Sequence, residues 1–137
     1  MSTNPQPAAR ILIAEDEALI AWELRDRLKR LGMTVVGVVD SAAAAIQAAT
    51  HDRPDVVLMD IQLRGERNGI DAAQEMRQLG VPVVFLTAHS DRATLERAQQ
   101  TEPFGYIVKP FQERDLVAAI ESAIQRHSVE RQLKREV

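Results

Sequence analysis

Five polar residues of this chain directly follow short apolar runs and are chemically capable side chains: Glu15 and Asp16 after residues 11–14, Asp60 after 56–59, Thr87 after 81–86, and Lys109 after 106–108. Carboxylates that share one pocket repel each other, and they all stay ionised at neutral pH only if cations are supplied. Lys109 is one such cation, and a divalent metal is the other. An all-oxygen donor set with few protein ligands suits Mg2+, which keeps several waters and takes one or two carboxylates plus a phosphoryl oxygen. Asp60 is the candidate nucleophile, because a carboxylate can carry a phosphoryl group as an aspartyl phosphate. Mg2+ and Lys109 would neutralise the transferring oxygens, and the Thr87 hydroxyl would donate to one of them.

The elements that must position these residues are legible in the hydrophobic pattern. Runs at 11–14, 35–39, 56–59, 81–86 and 106–108 are rich in Val and Ile and lack alternation, the mark of strands buried on both faces. Segments with helical spacing separate them. Ile20, Leu24, Leu28 and Leu31 form one stripe, with Gly32 as its stop. Ser41 is a good N-cap for the alanine-rich segment 42–49, and Ile70, Ala73 and Met76 mark a third helix. A fourth, at 91–100, is polar with only Ala93, Leu95 and Ala98 to bury, and Leu116, Ile120, Ala123 and Ile124 mark a fifth. Strand and helix alternate five times, so the fold class is α/β with a doubly wound parallel sheet. In the strand order 2-1-3-4-5 the ends of the first and third strands are neighbours, which gathers Glu15, Asp16 and Asp60, with Thr87 and Lys109 closing the other side.

Composition narrows the classes. The 137 residues are 45% hydrophobic and 27% charged, enough for one domain with a real core. There is no cysteine, so thiolate nucleophiles and thiolate-held metals are excluded. The longest apolar run falls far short of the ~20 residues of a membrane span, and residues 1–9 read as a flexible polar leader, so the expected compartment is the cytoplasm. A net charge of −3 with scattered basic residues argues against direct nucleic-acid binding.

Taken singly, each site residue has a plain structural explanation. Glu15, Asp16 or Thr87 could cap a helix, Asp60 could sit in a turn, and Lys109 could be a solvated side chain. Their joint placement at four strand ends is what chance does not supply. Together, Ile-Leu-Ile-Ala-Glu15-Asp16-Glu, Pro54-Asp-Val-Val-Leu-Met-Asp60, Val-Val-Phe-Leu-Thr87-Ala88 and Tyr106-Ile-Val-Lys109-Pro110-Phe resemble the receiver domain of bacterial two-component response regulators, across about residues 10–126. The resemblance implies a flavodoxin-like fold and transfer of a phosphoryl group from the phosphohistidine of a sensor histidine kinase or phosphotransfer protein onto Asp60. It implies Mg2+ held by Asp16, Asp60 and the Gln62 backbone carbonyl, with Glu15 acting through water. It also implies Thr87 and Tyr106 as a switch pair, Lys109 pairing with phosphoryl oxygens across a cis bond to Pro110, and Gln62 and His89 tuning the lifetime of the phosphorylated state. Such a domain is a signalling module rather than a turnover enzyme, passing its state to a downstream effector or to a second copy. Residues 127–137 would extend the last helix or form a tail.

The sequence departs from the family pattern in three places. Glu15 stands where an aspartate is commoner, which lengthens the arm by one methylene. Leu63-Arg64-Gly65 stands where a proline is usual, with the stretch to Asn68-Gly69 one residue longer, and Glu102-Pro103-Phe104-Gly105 precedes the fifth strand, so the fourth helix is expected to end early at Pro103. Trp22 lies off the Ile20–Leu24–Leu28 stripe and reads as a partly exposed ring, while His51 and His127 have no partner at metal-ligand spacing. The alternative chemistry is a haloacid-dehalogenase-type phosphatase, but its acid/base aspartate two residues beyond the nucleophile is Gln62 here. A receiver degenerate in its site would lack one of the five expected residues, and a nucleotide binder would carry a glycine-rich phosphate loop; neither description fits.

Overall fold

Five parallel strands form one sheet in the order β2-β1-β3-β4-β5, each strand followed by a helix. The elements are β1 (Arg10–Ala14), α1 (Ala18–Arg30), β2 (Thr34–Val39), α2 (Ala42–Asp52), β3 (Val56–Asp60), α3 (Gly69–Leu79), β4 (Val83–Thr87), α4 (Arg92–Gln99), β5 (Gly105–Val108) and α5 (Glu113–Glu136). The structure is a computed structural model and describes residues 8–63, 68–88 and 92–136.

The side-chain period of two in a strand divides the core into two halves. Leu12, Ala14, Val57, Met59, Val83 and Phe85 pack on one face with Ala42, Ala45 and Ala49 of α2 and Ile70, Ala73 and Met76 of α3. Ile11, Ile13, Val56, Leu58, Val84, Leu86 and Ile107 pack on the other with Leu24 and Leu28 of α1 and Leu116, Ile120 and Ala123 of α5. The central strands β1, β3 and β4 are buried on both faces, as their unbroken apolar runs predict. The two edge strands are not. β2 is half-buried for most of its length, and in β5 only Ile107 is buried while Tyr106 and Val108 are exposed. An edge strand has one neighbour and incomplete helix cover, so apolar runs alone do not separate it from a central one.

The helix boundaries follow local chemistry. Gly32, at φ +87, takes the left-handed conformation that stops α1, and Arg27, Lys29 and Arg30 sit in the last turn, where cations meet the negative end of the helix dipole. Ser41 Oγ accepts from the Ala44 N–H, capping α2 as expected. In α4 only Ala98 is buried, and Ala93 and Leu95, expected to pack inward, are exposed. This helix ends at Gln99, before Pro103 is reached: the Thr101 hydroxyl donates to the Ala98 carbonyl at 2.6 Å, and Glu102 then adopts φ +54. Among the described residues no helix is long and apolar enough to cross a membrane.

Leu28 is fully buried between α1, α5 and the sheet. Leu28→Ala should therefore cost about 3–5 kcal/mol, read from the urea midpoint at unchanged slope. A loss under about 1 kcal/mol would contradict this packing.

Candidate functional site

Strand register assembles the site. Ala14 pairs with Met59, so the next residues, Glu15 and Asp60, leave the sheet side by side. Asp60 pairs with Leu86 and Thr87 with Val108, and the Lys109 N–H extends that ladder by donating to the Thr87 carbonyl at 2.8 Å. From the end of β5, three strands from β1 and two from β3, Lys109 Nζ donates to Glu15 Oε1 at 2.7 Å and to Asp60 Oδ2 at 3.3 Å. The two remaining carboxylate oxygens accept from backbone: Glu15 Oε2 from the Glu17 N–H at 3.1 Å, and Asp60 Oδ1 from the Gln62 N–H at 3.0 Å. The Glu15 side chain is wholly enclosed, and those of Asp60 and Lys109 are 11% and 14% exposed.

Asp16 joins this pair. One carboxylate oxygen from each of Glu15, Asp16 and Asp60 lies within 4.8 Å of the others. Three hard oxygen donors at that spacing fit a hard divalent cation rather than a soft one.

Helix α3 closes the site from behind. Gly69 starts it so close to the end of β3 that a Cβ there would lie 2.1 Å from the Asp60 backbone oxygen and 3.0 Å from Ile61 Cα. The Gly69 N–H donates to the Ile61 carbonyl at 2.9 Å. Asn68 and Asp71 fix the helix start through a reciprocal capping box, each side chain accepting from the other end's backbone. Asn68-Gly69-x-Asp71 before an apolar stripe is a signal that sequence inspection for a site passes over, because it carries no reactive group.

Electrostatics separate the two buried carboxylates. Burial pushes Asp60 up to about 7, aided by the adjacent Glu15 carboxylate, against the Gln62 N–H and the Lys109 charge. Burial also opposes ionisation of Glu15, but hydrogen bonding with Asp60, Lys109 and the Glu17 N–H outweighs it and holds Glu15 below its ordinary value. Lys109 loses solvation too, yet its two carboxylate partners raise its pKa, so it stays an ammonium. Below about pH 7 a proton bound by this pair therefore favours Asp60 over Glu15.

Of the other residues singled out by sequence, Thr87 is buried at the end of β4, and the Lys109–Pro110 bond is cis. Tyr106 stacks on Phe85 with ring centroids 6.0 Å apart and stays 39% exposed, its hydroxyl pushed up by burial. The Gln62 side chain is exposed and Trp22 is 60% exposed. His89 and the loop positions Arg64 and Gly65 lie outside the described residues.

A family model for the response regulator receiver domain matches residues 11–121. The chain belongs to this family. The receiver is 43% identical over 118 residues to the transcriptional regulatory protein PdtaR of Mycobacterium tuberculosis, covering 85% of this chain and 57% of that protein. It is 38% identical over 119 residues to the phyllosphere-induced regulator PhyR of Methylorubrum extorquens, covering 85% of this chain and 44% of that one. The chain thus spans about half the length of these relatives. Among solved structures, the signal receiver domain of a modulated diguanylate cyclase from Desulfovibrio desulfuricans G20 superposes with a TM-score of 0.87 at 37% identity, over 90% of this receiver and 99% of that chain. The expected flavodoxin-like order 2-1-3-4-5 is the order found. Receiver domains of two-component systems are signalling proteins.

Two outcomes follow from the geometry. Between about pH 4 and 7 the folded protein keeps an Asp60 proton that the unfolded chain has released, so this group's contribution to stability falls as pH rises through that window. Without divalent cations, Asp60→Asn should gain about 1–3 kcal/mol over wild type at pH 8 and little at pH 4.5, measured by thermal unfolding. An equal difference at both pH values would contradict the raised pKa. Gly69→Ala should cost more than about 2 kcal/mol, whereas alanine in a helix with open space normally stabilises. A variant within about 0.5 kcal/mol of wild type in the same measurement would contradict the close approach.

Proposed function

We propose that this receiver accepts a phosphoryl group on Asp60 from the phosphohistidine of a sensor histidine kinase or phosphotransfer protein, and that phosphorylation alters binding to an effector or to a second copy. The observation that carries the reading is the Lys109 ammonium bridging Glu15 and Asp60 beside Asp16. A buried lysine placed against two carboxylates supplies a fixed positive charge where a phosphoryl group would bring more negative charge.

In the step proposed, an Asp60 carboxylate oxygen attacks phosphorus. The O–P bond forms as the N–P bond breaks, and the electron pair stays on the imidazole nitrogen of the donor, which takes up a proton. Asp16, Asp60 and the Gln62 backbone carbonyl would hold Mg2+, with Glu15 acting through water, and the ion when bound would screen the carboxylates and the phosphoryl oxygens. Lys109 exchanges its contact with Asp60 Oδ2 for a phosphoryl oxygen while keeping Glu15. The Thr87 hydroxyl donates to a second oxygen, and Tyr106, resting half-exposed on Phe85, turns inward behind it. A phosphoryl group adds about −1.5 to −2 charge, enough to bias an element with two arrangements. Helix α4, with Ala98 alone buried, is the element with least to hold it. Gln62 and His89 tune the lifetime of the phosphorylated state. We take residues 10–126 as the receiver unit, 1–9 as a leader and 127–137 as a helical extension, working in the cytoplasm without direct nucleic-acid contact.

Incubation with acetyl phosphate and Mg2+ followed by intact-mass spectrometry should give a single phosphoryl adduct that is absent in Asp60→Asn. No adduct in wild type, or an adduct that survives Asp60→Asn, would overturn the reading. Multiple-turnover hydrolysis of a generic phosphate ester would replace it with a phosphatase.

A further inference from the structure

Lys109 reaches its two carboxylates on a flexible four-carbon stem, so where its ammonium rests depends on how its backbone is held. On one side the Lys109 N–H is bound to the Thr87 carbonyl at 2.8 Å. On the other side Pro110 has no N–H to give, and α5 begins only at Glu113. Between these lies Phe111, whose carbonyl accepts a hydrogen bond of 2.8 Å from Arg27 Nη1. Arg27 belongs to α1, 84 residues earlier in the chain. Its neighbours Leu24 and Leu28 are buried with Leu116 and Ile120, and Phe111 packs against the same cluster. That packing fixes the height of α1 over the loop. A charge-assisted bond in a partly buried place is among the stronger single contacts available to a backbone carbonyl.

We propose that Arg27 is a positioning residue for Lys109: by holding the Phe111 carbonyl it fixes the loop after Lys109, so that the ammonium stays between Glu15 and Asp60. The same helix that follows Glu15 and Asp16 directly in sequence thus also sets the cation that faces them. The inference rests on the phosphoacceptor reading only for its effect on phosphorylation, not for its effect on the ammonium.

The test uses Arg27→Met, which keeps an unbranched apolar stem and removes the donors, together with Arg27→Lys, Lys109→Ala and the Arg27→Met/Lys109→Ala double variant. Two quantities are read: the initial rate of adduct formation from acetyl phosphate with Mg2+, and the Lys109 ammonium cross-peak in 1H–15N spectra, which slow exchange preserves when two buried carboxylates hold it. Arg27→Met should slow adduct formation roughly tenfold and erase the ammonium cross-peak, with Arg27→Lys recovering part of both. In the Lys109→Ala background the same substitution should change the rate less than about twofold, because the group it positions is gone. Equal slowing in both backgrounds would make Arg27 a packing residue and overturn the proposal, as would an unchanged rate or a persistent cross-peak in Arg27→Met. If wild type forms no adduct, the phosphoacceptor reading fails, and the cross-peak still decides whether Arg27 positions Lys109.

Discussion

One ammonium lodged between two enclosed carboxylates sets the terms for the rest of this molecule. Lys109 Nζ lies 2.7 Å from Glu15 and 3.3 Å from Asp60, with little water reaching any of the three. Taking charges out of water costs several kcal/mol each, and mutual attraction repays it only when every remaining oxygen is bonded. Here the remaining two are, by the Glu17 and Gln62 N–H groups. Among the described residues no buried side-chain nitrogen or oxygen lacks a partner. Even so, one lysine does not balance three carboxylates. Burial of Asp60, aided by the adjacent Glu15 carboxylate, outweighs the Gln62 N–H and the Lys109 charge and pushes Asp60 up to about 7.

The sheet explains why these groups meet at all. Parallel strands send all their carboxyl ends to one edge, and the reversal of direction beside β1 leaves a crevice there that no connection crosses. Glu15 and Asp60 become neighbours through one register pair, and Lys109 joins them because β5 extends β4 by one rung. Helix α3 must then start hard against Asp60, which requires a glycine at residue 69, and the loop after Lys109 must be held without help from Pro110. Backbone geometry around the site is therefore as constrained as its charged groups.

Much of this was legible in the sequence. The three central strands, the Gly32 stop, the Ser41 cap and the five polar residues at strand ends follow from local pattern, whereas the strand order comes from the doubly wound orders known for such sheets and from the resemblance. What was not legible depended on tertiary cover or long separation. Val35 to Val39 read as a fully buried run because composition does not reveal which strand lacks a neighbour. Leu95 read as inward-facing because a polar helix gives little phase information, and Ala98 alone turned out to face the core. Helix α4 stops at Gln99, short of Pro103, where the Thr101 and Glu102 N–H groups turn back to the Ala98 and Gln99 carbonyls and Glu102 takes φ +54, a local turn that the apolar pattern does not announce. Gly69 carries no chemistry, and Arg27 meets Phe111 only after α1 and α5 have packed, so neither pointed to the site before the fold was in hand.

Side-chain carboxyl 13C titration by NMR, on protein free of divalent cations, tests the crowding of this rim most directly. Asp60 should titrate with a midpoint near 7 while Glu15 remains ionised to below its ordinary value. An Asp60 midpoint near the usual ~4 for an aspartate would contradict the account, because burial and the Glu15 carboxylate would then not outweigh Lys109 and the Gln62 N–H.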